Sequence, residues 1–301
     1  MSICRPASAV RIFAPAKLNL FFEILARRAD GYHEIETLML PLNLGDVLEF
    51  RATAAGPLRL QCEWAYQAAH CQDAPFEPLP SDGRNLVVRA LELLRVRAGV
   101  ECGAELRLLK RVPAAAGLGG GSSDAAAALI VANQAWNLGW PLVRLAEVAA
   151  AVGSDVPFFL VRGPALCRGR GEAVEPLGRI GALTAVIVKP PDGLSTPAVY
   201  QACRPAVEPR LVTPLVSALR RGAWARCGRL LHNQLESAAA QLSPWPARLR
   251  SEFDRTDCLG HQLSGSGTSY FGLCRNPAQA RTIAARLRAR RLGQVFIAQS
   301  L

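Results

Sequence analysis

A glycine-rich loop directly before an alanine-rich helix constrains this chain more than any other feature. Four of the five residues from Gly117 to Gly121 are glycine, Ser122 and Ser123 follow, and an apolar stretch runs on to Trp136. Glycine adopts backbone conformations that other residues avoid, so successive N–H groups of such a loop can turn to one side. The helix brings its unpaired N–H groups and positive dipole end to the same place. The pattern predicts a phosphate-binding turn, with a purely structural turn or a linker as the alternatives.

Two common phosphate-loop patterns do not fit this loop. A Walker A loop needs a lysine after its glycines, and none follows here. A dinucleotide fingerprint that begins at Gly117 would meet Ser122 where its third glycine belongs. For the helix itself, Ser123 or Ser122 is the predicted cap, Asp124 suits the first turn and Gly139 suits the end. A helix with these end signals disfavours a plain linker.

The net positive charge of the chain suggests a nucleic-acid partner, but the distribution of that charge does not. The 301 residues give room for one large domain or two ordinary ones, and half of them are hydrophobic, as in globular proteins. The net charge is +11, and only three of the 35 basic residues are lysines. The arginines are spread along the chain without an aromatic-interleaved stripe, and the cluster from Arg281 to Arg291 predicts a solvated helix face. We therefore expect no nucleic-acid partner, whereas an anionic substrate would benefit from the arginines.

The cysteines and the hydropathy pattern predict a cytoplasmic protein. The nine cysteines are odd in number and include no C-x-x-C pair, so they suit neither a disulfide framework nor a zinc site. We expect reduced cysteines and assign no metal-ligating residue. The N-terminal segment lacks the uninterrupted apolar region of a secretory signal, and no apolar run is long enough to span a membrane. The segment from Gln61 to Pro80 has no clear period and is predicted to be a loop or insertion without assigned chemistry.

Periodicity predicts an α+β protein of two domains, residues 1–165 and 166–301. The strand-like segments of the first part are residues 9–25, interrupted at Pro15, 45–53 and 104–113, and its helical segments are 85–99, the helix after the glycine loop and 141–153. From about Leu166 onward, strand-like pieces at 183–191 and 269–274 alternate with helical ones at 225–242 and 277–291.

Three motifs, taken together and in this order, carry a family resemblance. They are "PAKLNLFFEILARRADGYHEIETLM" near the N-terminus, "PAAAGLGGGSSDAAA" at the glycine loop and "LSGSGTSYFG" near the C-terminus. This triplet resembles the GHMP kinase superfamily. With "VGSDVPFFL", it is similar in particular to the 4-diphosphocytidyl-2-C-methyl-D-erythritol kinases (CDP-ME kinases), from about Ala14 to Gly272. One departure is Ala115, where the family loop often has glycine.

The resemblance implies a two-domain GHMP kinase fold. Its N-terminal domain would be ribosomal-protein-S5-like and would bind ATP, its C-terminal domain would be ferredoxin-like, and the active site would lie in the cleft between them. The implied reaction is the ATP-dependent phosphorylation of the 2-hydroxyl of 4-diphosphocytidyl-2-C-methyl-D-erythritol, in the non-mevalonate route to isoprenoid precursors. ATP would be the co-substrate, with Mg²⁺ on the nucleotide, and the partner would be a small molecule with a cytidine diphosphate group. No oligomeric state follows.

The residues that would hold the nucleotide also follow from the resemblance. Ser122 or Ser123 could meet Mg²⁺ through its hydroxyl, and the sequence leaves open which. Asn85 matches a family position near the adenine, but it equally suits a helix N-cap. The implied nucleotide-binding residues are Asn85, Pro113, Ala114, Ala115, Ala116, Gly117, Leu118, Gly119, Gly120, Gly121, Ser122 and Ser123.

Two residues are the candidates for catalysis. Asp155 lies between a serine and the apolar segment "VPFF", which predicts partial burial of its carboxylate, and it is the candidate base. Its alternative role is a turn or N-cap aspartate. Lys17 lies among apolar neighbours, where a lysine more often lays its stem along a surface. The resemblance implies instead that Lys17 is the second catalytic residue, close to Asp155 and to the hydroxyl that is phosphorylated.

Four residues are the candidates for substrate binding. Neutral His33 has one ring donor and one ring acceptor for the pairing edge of cytosine, and Tyr32 can stack on the base. By resemblance, Tyr200 would lie on the other face of the base. Asn19 would hydrogen-bond substrate hydroxyls or phosphate. The alternatives are a buried tyrosine and a loop histidine, which the contiguous "DGYH" disfavours.

Three other functions compete with this one. A GHMP kinase for mevalonate, homoserine or a sugar would not need the pocket that "DGYH" and Tyr200 suggest. A non-catalytic nucleotide sensor of the same fold would not need Lys17 and Asp155. A nucleic-acid-binding module rests on net charge alone, and a strongly salt-dependent affinity for DNA or RNA would support it.

Overall fold

The computed structural model describes residues 8–65 and 78–301, which form two compact units. Unit 1 comprises residues 8–16, Leu44–Ala114 and Gly119–Arg162, and unit 2 comprises Lys17–Asn43, Ala115–Leu118 and Gly163–Leu301. Each unit is therefore discontinuous in sequence. The division into residues 1–165 and 166–301 stays a prediction, while the mixture of helices and strands confirms the α+β class.

The described residues form helices and strands along the whole chain. The strands are β1 (Val10–Arg27), β2 (His33–Thr53), β3 (Leu58–Trp64), β4 (Gly103–Lys110), β5 (Ala165–Gly169), β6 (Ala173–Pro176), β7 (Thr184–Lys189), β8 (His232–Asn233), β9 (Gly260–Leu263), β10 (Tyr270–Cys274) and β11 (Gln294–Gln299). The helices are α1 (Leu86–Ala98), α2 (Gly120–Ala135), α3 (Leu142–Val152), α4 (Val156–Leu160), α5 (Thr196–Ala202), α6 (Thr213–Arg220), α7 (Trp224–Arg229), α8 (Leu235–Leu242), α9 (Trp245–Asp254) and α10 (Pro277–Ala289).

Unit 1 packs helices against a short sheet. Strand β4 pairs in parallel with β3 and antiparallel with the C-terminal half of β2. Alternation along β4 buries Leu106 and Leu108, so one face of the sheet supplies apolar residues to the core. Helices α1 and α2 pack on each other, and the alanines of α2 are buried because small side chains allow close approach. Trp136 at the end of α2 contacts Phe50 at a ring distance of 6.0 Å.

Unit 2 is built on an antiparallel sheet in the order β11-β7-β10-β9. All six residues of β7 are buried, which explains the apolar run from Ala185 to Val188 at its centre. Ile187 lies opposite Phe271 on one side and Phe296 on the other. Helices α8, α9 and α10 contribute to a core that includes Phe253. In the same unit, β1 pairs in parallel with β8, and β2 pairs antiparallel with β5.

Several local predictions are confirmed. Helix α1 ends where predicted, at Gly99, whose φ of 63° provides the left-handed C-cap. The predicted strands at β4, β7 and β10 and the helices α3 and α10 are present. In α10 the apolar Ile283 and Leu287 are buried while Arg281, Arg286 and the other arginines of the helix are exposed, which confirms a solvated basic face. No helix in the described part of the chain is long and apolar enough to cross a membrane.

The prediction that Pro15 interrupts the first strand is wrong. Strand β1 runs continuously from Val10 to Arg27. Proline fixes φ near −65°, which extended backbone tolerates, and its missing N–H is harmless where a strand lacks a neighbour on that side. Strand β8 pairs only with Phe21 and Phe22, so among the described residues the edge of β1 that faces β8 has no β8 partner around Pro15.

The predicted ends of the helix after the glycine loop are also wrong. Helix α2 begins at Gly120 with Gly119 as its N-cap, so Ser122 and Ser123 lie inside the first turn and cap nothing. It ends at Ala135, four residues before Gly139. Asp124 lies beyond the first turn, and its side chain pairs with a lysine from β4. The loop enters the helix directly from glycine, because a left-handed φ of 70° at Gly119 makes the turn without a side-chain cap.

Three further predictions need correction. Residues 225–242 are not one helix, because His232 and Asn233 form a two-residue strand with β1 between α7 and α8. Residues 61–64 of the predicted loop or insertion belong to β3, and residues 66–77 lie outside the described part. Cys102 is disulfide-bonded, so the expectation of reduced cysteines is wrong there, since sequence spacing does not show which sulfurs the fold brings together. The free cysteines among the described residues are Cys62, Cys167, Cys203, Cys227, Cys258 and Cys274.

Candidate active site

Lys17 is a buried lysine in the centre of β1, with only 4% of its surface exposed. Residues two apart on a strand share a face, so Asn19 lies beside it, and the Lys17 Nζ donates a hydrogen bond to the Asn19 Oδ1. The Asn19 Nδ2 donates to the Thr37 Oγ1 at 2.8 Å, and that hydroxyl donates to the carbonyl of Phe21 at 2.7 Å. A buried ammonium needs such polar partners, and this chain of hydrogen bonds fixes its position.

The predicted motifs from three distant parts of the chain meet around this lysine in unit 2. The backbone N–H of Lys17 donates to the carbonyl of Leu118 in the glycine loop at 2.9 Å. The N–H of Ser269, in the C-terminal motif, donates to the carbonyl of Ala116 at 3.1 Å. Backbone hydrogen bonds therefore hold the glycine loop between the N-terminal and C-terminal motifs.

Two glycines make this close approach possible. Gly117 has a φ of 71°, and a Cβ there would overlap the carbonyl oxygen of Ser264. The Ser264 Oγ donates to the Gly117 carbonyl at 3.0 Å. Gly265 has a φ of 57°, and a Cβ there would lie 3.0 Å from the Asn19 Oδ1 and 3.3 Å from the Lys17 Nζ. Both positions therefore require glycine for its backbone conformation and for its lack of a side chain.

The loop contains one residue that is strained for its type. Ala115 adopts a φ of 47°, in the left-handed region. A side chain there costs roughly 1–2 kcal/mol because Cβ approaches the following carbonyl oxygen. Pro113 is half-buried and Ala114 is exposed. The loop therefore follows a path that suits glycine at position 115, although this chain has alanine there.

In unit 1, the first turn of α2 presents backbone N–H groups. The N–H of Ser123 makes the first hydrogen bond of the helix, to the carbonyl of Gly119 at 2.9 Å, so the N–H groups before it have no partner within the helix. Gly121 is exposed and Ser122 is half-buried. The Ser123 Oγ is buried without a hydrogen-bond partner among the described residues. An anion is the natural partner for such a helix end.

A group of three buried charged residues in unit 1 was missed in the sequence. The Lys110 Nζ donates to the carboxylates of both Asp46 and Asp124, the latter at 2.7 Å. Lys110 and Asp124 are 14 positions apart, and Asp46 is 64 positions from Lys110. No local pattern joins such residues, although three lysines in an arginine-rich chain were a signal that lysine is required where it occurs.

Asn85 and Asp155 both lie at helix N-caps but differ in what they do. The Asn85 Oδ1 accepts a hydrogen bond from the N–H of Val87 at 2.9 Å, so the N-cap role is confirmed. Asp155 precedes α4 and is half-buried, yet its side chain makes no capping hydrogen bond. Asp155 therefore lies in a turn, as its alternative role predicts, but does not cap α4 through its side chain. Asp155 belongs to unit 1 and Lys17 to unit 2, and their proximity stays a prediction.

The predicted base-binding residues lie together in unit 2. The rings of His33 and Tyr200 are 5.3 Å apart at their centroids. Tyr32 is 53% exposed, and the guanidinium of Arg170 lies 4.8 Å above its ring. Burial lowers the pKa of His33, and the positive charge of Arg27 lowers it further. The imidazole is therefore neutral at pH 7, with one ring donor and one ring acceptor.

Two other residues that sequence inspection missed support this site. The Gln262 Nε2 donates to the backbone carbonyl of Asn19 at 2.8 Å, and the Asn233 Nδ2 donates to the carbonyl of Gly265 at 2.8 Å. Each positions the backbone of a motif residue, and Gln262 directly precedes the C-terminal motif.

Among residues 8–65 and 78–301, no group of three or more His, Cys, Asp or Glu side chains could hold a metal ion.

Two family profiles match the chain and define its class. The profile described as "GHMP kinases N terminal domain" matches residues 85–163, and the one described as "GHMP kinases C terminal" matches residues 215–291. Together with the glycine loop and the α+β architecture, these matches define an ATP-dependent small-molecule kinase with the GHMP kinase fold.

Individual relatives of this chain identify its family within the GHMP kinases. A protein of Pelotomaculum thermopropionicum named 4-diphosphocytidyl-2-C-methyl-D-erythritol kinase is 43% identical over 93% of this chain and 94% of its own. A crystal structure titled 4-(cytidine 5'-diphospho)-2C-methyl-D-erythritol kinase is 34% identical, covers 97% of this chain and 99% of its own, and has a TM-score of 0.76. The chain therefore belongs to the CDP-ME kinase family of the GHMP kinases.

The wider fold extends beyond this family. A homoserine kinase structure from Cytophaga hutchinsonii has a TM-score of 0.74 but is only 22% identical, over 98% of this chain and 95% of its own. At that identity the likeness shows the fold alone. The higher sequence identity of this chain to the CDP-ME kinases thus favours their reaction over that of homoserine kinase.

Proposed function

We propose that the chain transfers the γ-phosphoryl group of ATP to the 2-hydroxyl of 4-diphosphocytidyl-2-C-methyl-D-erythritol, a step in the formation of isoprenoid precursors. The bond between the γ-phosphorus and the bridging oxygen to the β-phosphate breaks, and a bond from that phosphorus to the hydroxyl oxygen forms. ADP leaves, and a base accepts the hydroxyl proton. The relatives at 43% and 34% identity are named as kinases of this alcohol, and this chain matches them over nearly their whole length, which supports the proposal.

The observation that carries the proposal is the convergence of three motifs on Lys17. The glycine loop bonds to the backbone of Lys17 through Leu118, and Gly265 of the C-terminal motif approaches its ammonium. Phosphoryl transfer depends on positioning and on neutralising charge rather than on covalent chemistry by the protein. A fixed, buried ammonium beside a glycine loop meets both needs.

The nucleotide is proposed to bind over Gly119 to Ser123, where unpaired N–H groups and the positive end of α2 favour phosphate. Mg²⁺ on the nucleotide would neutralise charge between the phosphates. Magnesium prefers oxygen ligands and retains several waters, so one protein oxygen suffices. Ser122 and Ser123 fit this need, since the first is half-exposed and the hydroxyl of the second makes no hydrogen bond among the described residues.

Asp155 is proposed as the base for the acceptor hydroxyl. Its carboxylate is half-buried in the turn that precedes α4, and the motif "VGSDVPFFL" around it carries the family resemblance. Lys17 is proposed to stabilise the negative charge that develops as the hydroxyl attacks. The hydrogen bond to Asn19 orients the ammonium, and Asn19 is also the proposed partner of substrate hydroxyls or phosphate.

The cytosine base is proposed to bind between Tyr32 and Tyr200, with His33 at its pairing edge. Tyr32 is 53% exposed, so part of its ring remains accessible to a ligand beside Arg170. The proximity of His33 to Tyr200 places a neutral donor and acceptor next to an aromatic face. Arg170, above the Tyr32 ring, adds positive charge close to where a diphosphate would follow.

A panel of alcohols tests the proposal. ADP release is measured with ATP, Mg²⁺ and, in turn, 4-diphosphocytidyl-2-C-methyl-D-erythritol, mevalonate, homoserine and galactose. We expect turnover with the first alcohol only, since the others lack the cytidine group. Phosphorus NMR of the product should show a new phosphomonoester. Turnover with another alcohol at a higher kcat/KM would replace the proposed substrate, and ATP binding without any turnover would indicate a nucleotide sensor.

A further inference from the structure

The buried group of Lys110, Asp46 and Asp124 has no role in the proposed chemistry, although it lies beside the nucleotide loop. The side chains of Lys110, Asp46 and Asp124 are only 7%, 0% and 3% exposed. The Asp46 Oδ1 also accepts hydrogen bonds from the N–H groups of Arg111 and Val112, at 2.5 and 2.8 Å. Asp46 is thus tied to the chain that leaves β4, and Lys110 joins it to helix α2.

Asp124 depends on Lys110 far more than Asp46 does. Its Oδ2 accepts from the Lys110 Nζ, whereas its Oδ1 has no hydrogen-bond partner among the described residues. Burial raises the pKa of Asp124 to about 8, the nearby charge of Lys110 opposes this rise, and Asp46 adds to it. An ammonium only donates hydrogen bonds, so what Lys110 requires at this position is an accepting oxygen.

The same lysine also approaches the first turn of α2 at Gly120. A Cβ at Gly120 would lie 3.2 Å from the Lys110 Nζ and 2.9 Å from the Val112 Cγ1. Asp124 follows Gly120 by four residues, so both lie on one face of the helix, one turn apart. A shift of Lys110 would therefore disturb the packing of the turn whose N–H groups are proposed to bind the nucleotide.

We propose that Asp124, acting through Lys110, is a positioning residue that holds the first turn of α2 in register for the phosphates of ATP. The inference rests on the proposed function, in which those phosphates bind Gly119 to Ser123. A buried ionic group is seldom the most stable way to fill a core, so its presence beside a binding loop favours a role in geometry. Small displacements of a binding loop are costly, since a shift of about 1 Å can reduce a rate roughly 10²-fold.

The Asp124→Leu variant tests the proposal, because leucine has a similar shape but no accepting oxygen. We expect the KM for ATP to rise about 10-fold, near the lower end of what a hydrogen bond to a charged group contributes. The KM for the alcohol substrate should stay within about 2-fold of the parent value, since its proposed residues lie elsewhere. Asp124→Asn keeps an oxygen for Lys110 and should restore the KM for ATP to within about 3-fold.

A matched control loses a buried hydrogen bond at the opposite end of the same helix. The Trp136 Nε1 donates to the carbonyl of Gly103 at 3.3 Å, and the ring is fully buried. Trp136→Phe should lower the Tm while leaving the KM for ATP unchanged. This control distinguishes a positioning role of Asp124 from a purely structural one. A purely structural role would lower the Tm in both variants and leave the KM for ATP unchanged in both.

Four outcomes overturn the inference. In folded Asp124→Leu, they are an unchanged KM for ATP, or an equal rise in the KM for ATP and the KM for the alcohol. In the other variants, they are a failure of Asp124→Asn to restore the KM for ATP, or a rise in the KM for ATP in Trp136→Phe equal to that in Asp124→Leu. If Asp124→Leu does not fold, the double variant Lys110→Met and Asp124→Leu removes both partners while Asp46 keeps its two backbone hydrogen bonds, and the same criteria apply. The variant Gly119→Val separates the two proposals. Unchanged ATP affinity there contradicts the proposed function, whereas lost affinity there with a normal KM in Asp124→Leu contradicts only this inference.

Discussion

Replacing Gly117 with alanine should destabilise the protein and impair ATP binding, because two physical terms act at this position. The φ of 71° costs a side chain about 1–2 kcal/mol. The added Cβ would also overlap the Ser264 carbonyl and lie 3.0 Å from that of Gly267, and such overpacking costs about 1–3 kcal/mol. Alanine lowers the entropy of the unfolded chain and returns about 0.4–1 kcal/mol. The expected loss in free energy of unfolding is about 1–4.6 kcal/mol.

A glycine of the same unit provides the matched control. Gly178 has a φ of 77°, but a Cβ there would meet no atom within 4 Å. Gly178→Ala should therefore show only the backbone cost, a net loss of about 0–1.6 kcal/mol. The difference between the variants measures the contact between the glycine loop and the C-terminal motif.

Calorimetric melting of both variants is the assay. At roughly 2–4 °C per kcal/mol, the overpacking cost of about 1–3 kcal/mol should make Gly117→Ala melt about 2–12 °C lower than Gly178→Ala. The KM for ATP should rise in Gly117→Ala only, since its loop must shift away from Ser264. Equal melting temperatures in the two variants would refute the packing argument, because the overlap with Ser264 would then carry no cost.

Three other predictions follow from the proposed binding residues. In Gly119→Val, the left-handed φ of 70° disfavours a branched side chain, so ATP affinity measured by calorimetry should fall sharply, and an unchanged affinity in the folded variant would remove the loop from the nucleotide site. Tyr32→Ala should weaken binding of the cytidine substrate by roughly 1–3 kcal/mol while sparing ATP, and equal losses would indicate a structural tyrosine. The pKa of His33 is lowered, so the imidazole stays neutral down to a pH below about 6.5. The KM for the cytidine substrate should be constant from pH 8 to 7 and rise only in more acidic solution, where His33 loses its acceptor, whereas a flat profile down to pH 5 would contradict contact with the base.

Local chemistry explains the parts of the fold that the sequence predicted correctly. Asn85 and Gly99 mark the ends of α1 because a capping amide and a left-handed glycine act on neighbouring residues alone. Each of the three motifs, the glycine loop among them, is likewise one contiguous stretch of sequence. The family resemblance added what periodicity could not supply, namely that these motifs belong together.

Tertiary partners explain the parts that the sequence did not predict. Asp124 suits the first turn of a helix by local rules, but a lysine from another element pairs with it inside the core. His232 and Asn233 lie within a helical sequence pattern, yet they pair with β1 and form a short strand. In the candidate site, Gln262 and Asn233 act through the backbone of other residues, and no property of their immediate neighbours shows this.

The most direct test of the central claim is single-turnover phosphoryl transfer by the Lys17→Arg variant. The chain uses arginine for all but three of its 35 basic residues, so a lysine at this position indicates that its shape matters. The ammonium is buried against Asn19, and a Cβ on Gly265 would lie only 3.3 Å from it, which leaves little room for a planar guanidinium.

The measurement compares the rate constant of transfer from ATP in the parent and in Lys17→Arg, with thermal melting and ATP affinity as controls. A displacement of about 1 Å at the reacting groups predicts a loss on the order of 10²-fold in kcat, with ATP affinity nearly unchanged. A rate within a few-fold of the parent, in a folded protein, would contradict the account and leave Lys17 outside the phosphoryl-transfer centre.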